Sequence, residues 1–203
     1  VAVACVATSL KFVEPTTDQT IADAHERIDL AADVGAPVIR VFGGKLPEGM
    51  ERDAAIERCI ATLSAVADHA DDAGVCICFE THDAWCDPAH VAAVLDGVDR
   101  PAVACNWDVQ HPVRTGHATI DESFETLKKW IRHVHIHDNI GEGLNFVPIG
   151  TGEIDHTRVI QLLETIDFTG YLSGEWINWE PYDVHLPREI AQLKEYEKQL
   201  GVK

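Results

Sequence analysis

The residues best suited to chemistry fall in four short segments: Glu80-Thr81-His82, Asp108-Val109-Gln110-His111, His133-Val134-His135-Ile136-His137-Asp138 and Ser173-Gly174-Glu175-Trp176. Each follows an apolar, strand-like run, so each sets a carboxylate or an imidazole at a predicted strand end. Glu, Asp, His and Glu on four successive strand ends suit a divalent metal at the mouth of a β/α barrel. A buried carboxylate without a partner costs several kcal/mol. Glu80 therefore needs a metal or a cation, and Arg40 is the alternative partner. Strand alternation puts Cys76 and Cys78 on the face of Glu80, as a layer of small residues below the site. Asp108 and His111 stand three apart across a strand–loop junction, where Asp108 serves as a ligand or caps a turn before Pro112. His133, His135 and His137 alternate and so share one face. Packing alone explains three such histidines poorly, although His133 and His137 each also read as hydrogen-bonded core residues.

The elements that must position these groups alternate between strand and helix. Strands are predicted over 1–7, 37–42, 75–79, 102–107, 131–137 and 170–175. Helices are predicted over 18–34, 52–73, 88–97, 121–130, 155–166 and 187–200. Gly35 and Gly74 supply stop signals, and Asp87-Pro88 supplies an N-cap followed by Pro at the first helical position. The strands are continuous apolar runs, as parallel strands covered on both faces should be. Such an order allows a doubly wound sheet or a barrel. Thr8-Ser9-Leu10-Lys11 after the first strand is no glycine-rich phosphate cradle. A barrel gathers consecutive strand ends around one axis, so the fold class is α/β, a TIM (β/α) barrel. A closed barrel of this kind has eight units and about 250 residues. Six units are present, with the first two of eight apparently lacking. Two open parallel edges would result, which a partner chain, in a homo-oligomer, would cover.

Bulk composition limits the function classes. With 203 residues and 46% hydrophobic content, the chain is expected to form one domain with a sizeable core. A net charge of −18 repels phosphate backbones, so no nucleic-acid partner is expected. No apolar run is long enough to span a membrane, and residues 1–6 read as a strand rather than a signal peptide. Six cysteines without a CxxC pair read as reduced thiols in a cytoplasmic protein. His25, His69, His90, His117, His156 and His185 fall in predicted helices or loops, where surface positions are the default. Trp85, Trp107, Trp176 and Trp179 read equally as an apolar wall against a ligand ring or as core. Gly150-Thr151-Gly152 could shape a loop over substrate.

In five stretches the chain resembles the sugar phosphate isomerase/epimerase family, the xylose-isomerase-like TIM barrels. They are Ile39-Arg40-Val41-Phe42-Gly43-Gly44, Phe79-Glu80-Thr81-His82-Asp83, Asn106-Trp107-Asp108-Val109-Gln110-His111-Pro112, His133-Val134-His135-Ile136-His137-Asp138 and Gly174-Glu175-Trp176. The resemblance implies one divalent metal ion (Mn, Mg, Co or Zn) held by Glu80, Asp108, His135 and Glu175. It also implies Glu80 and Glu175 as catalytic carboxylates, with His82, His111, His137, Asp138 and Arg40 toward a small sugar or sugar-phosphate substrate. Metal coordination to a carbonyl and its adjacent hydroxyl would acidify the carbon between them and stabilise an enediolate, giving isomerisation or epimerisation. Two alternatives on the same fold are a dehydratase of the inosose type and a non-catalytic truncated barrel. An abasic-site endonuclease would need a trinuclear zinc site and a basic surface, which the charge opposes.

Overall fold

The computed structural model describes residues 1–141 and 143–201. Along the chain run β1 (Val6–Lys11), α1 (Asp18–Val34), β2 (Val38–Phe42), α2 (Arg52–Ala73) and β3 (Cys76–Glu80). A 3₁₀ turn (Asp83–Trp85), α3 (Pro88–Val98), β4 (Val103–Asp108), α4 (Gln110–Arg114), α5 (Ile120–Leu127) and β5 (Ile131–Ile136) follow. The chain continues through β6 (Asp138–Asn139), β7 (Phe146–Val147), α6 (His156–Glu164), β8 (Leu172–Gly174) and α7 (Tyr182–Leu200). Six strands form one sheet in the order β1-β2-β3-β4-β5-β8, and every pairing in it is parallel. This is the α/β architecture of a partial TIM barrel, with β1 and β8 as its edges. The short pair β6-β7 is antiparallel and separate from the sheet.

Local chemistry accounts for most boundaries. The Thr17 hydroxyl accepts from Thr20 N to start α1, and Gly35 ends it at φ 71°, in the left-handed region that suits glycine. Asp87 caps α3 with Pro88 in the first turn, and Thr119 with Glu122 forms a capping box on α5. Every residue of β4 is buried, as a central parallel strand covered on both faces requires. Phe12, Ile28, Leu63, Phe79, Trp85, Trp107, Phe124 and Leu127 are fully buried between sheet and helices. Trp85 and Trp107 are thus core. Their indole N–H groups donate to Gly44 O at 3.0 Å and to Ser123 Oγ at 2.9 Å. The first of these contacts requires Gly43, because a Cβ there would overlap the indole ring of Trp85.

Three expectations change. The first strand lies at Val6–Lys11 rather than over 1–7, because its partners Ile39, Arg40 and Phe42 face Val6, Ala7 and Lys11. The apolar start has no strand beside it, and apolar character does not make a strand without a ladder to join. The last helix starts at Tyr182 and carries Pro187 inside it. There the missing N–H leaves the Asp183 carbonyl without its usual helical donor. Finally, α4 and the β6-β7 ribbon occupy stretches expected to be loop.

Candidate metal centre

Even-numbered steps in strand register bring the four candidate ligands to one face. Glu80 on β3 pairs with Asn106 on β4, and Asp108 lies two residues further along. Asp108 pairs with His135 on β5, which pairs with Ser173 on β8, and Glu175 again lies two residues on. Two residues is one full side-chain period, so Glu80, Asp108, His135 and Glu175 all point inward while climbing the tilted strands. One ligand atom from each of the four lies within 4.8 Å of all the others.

Glu80 and Asp108 are fully buried, His135 is buried and Glu175 is partly open. His135 Nδ1 is 2.8 Å from Glu80 Oε1 and 3.3 Å from Glu175 Oε2. Arg40 reaches the same two carboxylates, with Nε 3.4 Å from Glu80 Oε2 and Nη2 3.5 Å from Glu175 Oε1. Its guanidinium lies over the Phe42 ring at 3.9 Å. Asp108 works in two directions. Its Oδ1 accepts from Gln110 N and His111 N at 2.9 and 3.1 Å, capping α4, while Oδ2 meets His137 Nε2 at 2.9 Å. The two readings of Asp108, ligand and cap, therefore use different oxygens. Thr81 fixes this strand end by donating to Asp108 O and accepting from Asp108 N.

The electrostatics follow from burial and partners. Burial pushes Glu80 up, opposed by His135 and Arg40. Burial also works to raise Glu175, but His135 and Arg40 outweigh it and hold that carboxyl below the usual range. Asp108 is likewise held low by His111 and His137 against burial. Burial opposes the charge on His135, yet its hydrogen bonds to Glu175 and Glu80 push it up to about 10. Burial pushes His111 and His133 down to about 4.

Three carboxylates and an imidazole form a donor set suited to Mg²⁺, Mn²⁺, Co²⁺ or Zn²⁺. Glu80 Oε2 is buried without a hydrogen-bond partner, as an oxygen held for a cation would be. The residues fit a divalent metal. A second close grouping, Asp108, His111 and His137, adjoins it.

The expected substrate residues divide. His82, His111, His137 and Glu175 line a cavity of about 320 Å³ with Arg114, Phe146 and Ile177. His82 and His111 pack edge to face with centroids 4.5 Å apart. Arg40 lies behind this cavity, against the glutamates. Asp138 is placed differently from the expectation. Its buried carboxylate accepts from the N–H groups of Asn139, Gly150, Gly152 and Ile154, so it holds the 150–154 loop instead of facing the cavity. His133 lines a larger cavity of about 760 Å³ at the opposite end of the strands, together with Val38, Cys76 and Tyr171. That cavity contains none of the four candidate ligands.

Two histidines expected at the surface are buried. His156 approaches His137 O at 3.2 Å, and His185 packs on Trp176 and Trp179 with centroids 4.8 and 5.3 Å away. Two inward groups escaped sequence reasoning. Asn106 is buried two residues before Asp108 with no hydrogen-bond partner for its amide, and strand alternation alone could have found it. Arg114 sits at the end of α4, which had no sequence signature.

A match to the family described as xylose isomerase-like TIM barrel spans residues 3–197. A putative hydroxypyruvate isomerase of Xenopus laevis is 26% identical over 183 residues, which are 82% of this chain and 64% of that protein. The chain spans less than two thirds of the length of the curated relatives it matches, 62% and 64% for the first two. Among solved structures, a D-tagatose 3-epimerase-like protein superposes with TM-score 0.81 at 22% identity, covering 97% of this chain and 78% of that one. A barrel protein of this type from Mycobacterium smegmatis, in complex with magnesium, gives TM-score 0.77 at 21% identity over 98% of this chain and 74% of that one. The fold and the family match agree: this chain belongs to the xylose isomerase-like TIM barrel family.

Proposed function

We propose that the chain is a metal-dependent isomerase or epimerase of small sugars or sugar phosphates, with Glu80 and Glu175 as its proton-transferring pair. One observation carries the reading. Two glutamates from strand ends that are not neighbours meet Asp108 and His135 at a single buried point beside a cavity. The magnesium in the related Mycobacterium structure supports a cation on Glu80, Asp108, His135 and Glu175. When bound, such a cation supplies Lewis acidity that polarises a carbonyl and an adjacent hydroxyl.

The chain's own groups do the rest. Glu175 lines the cavity, and Arg40 Nη2 at 3.5 Å favours its ionised form, so it is placed to take a proton from the carbon beside the carbonyl. Glu80 is fully buried, with Arg40 Nε 3.4 Å from its Oε2. Two carboxylates in such different surroundings, one open to the cavity and one enclosed, can divide the removal and return of the proton. A proton returned to the neighbouring carbon gives isomerisation. A proton returned to the same carbon from the other face gives epimerisation. His111 Nδ1 lies 3.0 Å from Arg114 Nη2 and accepts from it, leaving its Nε2–H to donate to a substrate oxygen. Phe146 and Ile177 give the cavity apolar walls.

The test is metal-loaded protein with a ketose panel in deuterated water. Solvent deuterium at C1 or C3 of recovered sugar is expected. Glu80→Gln and Glu175→Gln should each abolish exchange while circular dichroism stays native. Unchanged exchange in either variant removes that glutamate from the mechanism. Elimination products would replace this reading with a dehydratase, and no turnover together with no bound metal would end the enzyme assignment.

A further inference from the structure

We propose that Arg114 forms an anion subsite, so that the substrate carries a phosphate or carboxylate at the end remote from the carbons that exchange a proton. This rests on the reading of the same cavity as a proton-transfer site, and it narrows the substrate class.

Arg114 closes α4, the short helix that Asp108 caps. The cap ties the position of the arginine to a candidate metal ligand. The cavity of about 320 Å³ has Arg114 and Thr115 in its wall along with Glu175 and His137, so it connects the guanidinium to the candidate centre. Arg114 Nη2 donates to His111 Nδ1 at 3.0 Å. Nε is buried with no partner, and among the described residues Arg114 forms no ion pair.

Among the described residues Arg52, Arg58 and Arg132 also lack an ion pair, but Arg52 lies over the Trp85 ring and the other two donate to backbone carbonyls. Arg114 alone of the four lines the cavity with Glu175, in a chain where 34 acidic residues outnumber 16 Lys and Arg. Arg40 meets Glu80 and Glu175, Arg158 meets Asp121, Arg100 meets Asp68 and Arg188 meets Glu180. An unpaired arginine among so many carboxylates is a positive charge left available. The two carboxylates in the cavity wall are already engaged. Glu175 faces His135 and Arg40, and Asp83 Oδ1 lies 3.3 Å from His82 Nδ1. The planar guanidinium fork suits two oxygens of one phosphate or carboxylate. An anion there would also satisfy the buried Nε–H, which is otherwise left without an acceptor.

The experiment compares kcat/KM for D-fructose, D-fructose 6-phosphate and D-fructuronate, whose carboxylate stands at C6, in wild type, Arg114→Gln and Arg114→Lys. Titration calorimetry of inorganic phosphate and of malonate against the metal-free protein accompanies it. The wild type should favour at least one anionic substrate, and the preferred one distinguishes phosphate from carboxylate. Arg114→Gln should lower the anionic-to-neutral ratio of kcat/KM by about 10- to 100-fold, mainly through KM, as the loss of a charged hydrogen bond does. If the Gln variant fails to fold, the Lys variant carries the comparison, with a drop of about 3- to 10-fold from the lost fork. An unchanged ratio overturns the subsite and leaves the proton-transfer reading standing. If no substrate turns over, that reading fails by itself and the calorimetry decides the subsite. Phosphate or malonate bound about tenfold more weakly by Arg114→Gln supports it. Equal binding by both proteins, or binding by neither, overturns it.

Discussion

His135 makes a quantitative prediction about pH. Its pKa is pushed from an ordinary 6.5 up to about 10, because hydrogen bonds to Glu175 and Glu80 outweigh its burial. A raised value means that the folded protein holds a proton which the unfolded chain has released. The stability from this proton is fully present below pH 6.5 and is lost as the pH rises through about 10. Over the whole interval it amounts to about 5 kcal/mol, with a slope of about 1.4 kcal/mol per pH unit. The window from about pH 7.5 to 8.5 shows it best. The lowered histidines, His111 and His133 among them, are neutral there in both states. Buried thiols such as Cys105 enter only as the unfolded chain nears pH 9.0. Burial opposes charge on His137, but Asp108 raises it, so His137 adds in the same direction. Urea unfolding of metal-free protein across this window should show stability falling by at least the slope above. His135→Gln should lose about one proton's share of it. A cation needs the imidazole deprotonated, so its apparent affinity should rise by at least about tenfold per pH unit over the same range. Stability that is flat or rises with pH, together with pH-independent metal affinity, would refute the placement of a charged His135 between the two glutamates.

Two further substitutions test how the site is held. Asp138→Asn leaves two of the four backbone N–H donors facing an amide nitrogen, whichever way the amide turns. A loss of about 2–4 kcal/mol in urea unfolding is expected, and a loss under about 0.5 kcal/mol would show that the loop does not depend on it. Gly43→Ala should cost about 1–3 kcal/mol and alter tryptophan fluorescence, because the added Cβ displaces the indole of Trp85 from Gly44 O. Native stability and an unchanged spectrum would contradict that packing.

The candidate ligands were legible because their positions obey a local rule. Each stands at the end of an apolar run, and a period of two fixes its face once the run is a strand. Asp138 obeyed the same rule and still landed elsewhere. Its role depends on where Gly150, Gly152 and Ile154 fold back, which is set by tertiary packing and has no pattern in the residues around Asp138. Arg114 was hidden for a related reason, since a five-residue helix after a capped strand end has too few residues to show a period. The first strand was misplaced because strand formation depends on a neighbour, and the neighbour β2 reaches only as far back as Val6. His156 and His185 were misjudged because helical position alone does not say which helix face is covered.

Charge balance explains how such a site folds and why it would take a dication. Glu80, Asp108 and Glu175 bring three negative charges into shared coordination reach, two of them fully buried. Arg40 touches both glutamates, and the raised values of His135 and His137 mean that each favours its charged form, one beside the glutamates and one beside Asp108. Those three cations offset the three carboxylates. A divalent ion taking His135 as a neutral ligand would replace that proton and one more, most directly the one on His137, and leave the total unchanged. Arg40 keeps its charge throughout, since a guanidinium does not deprotonate. It therefore sets how many of the remaining charges are exchangeable. On this account the two histidines hold the carboxylates together as protons while the cation is absent and release them when it arrives. The pH slope of metal affinity then counts those protons directly, and a slope approaching two would mean that His137 gives up its proton along with His135.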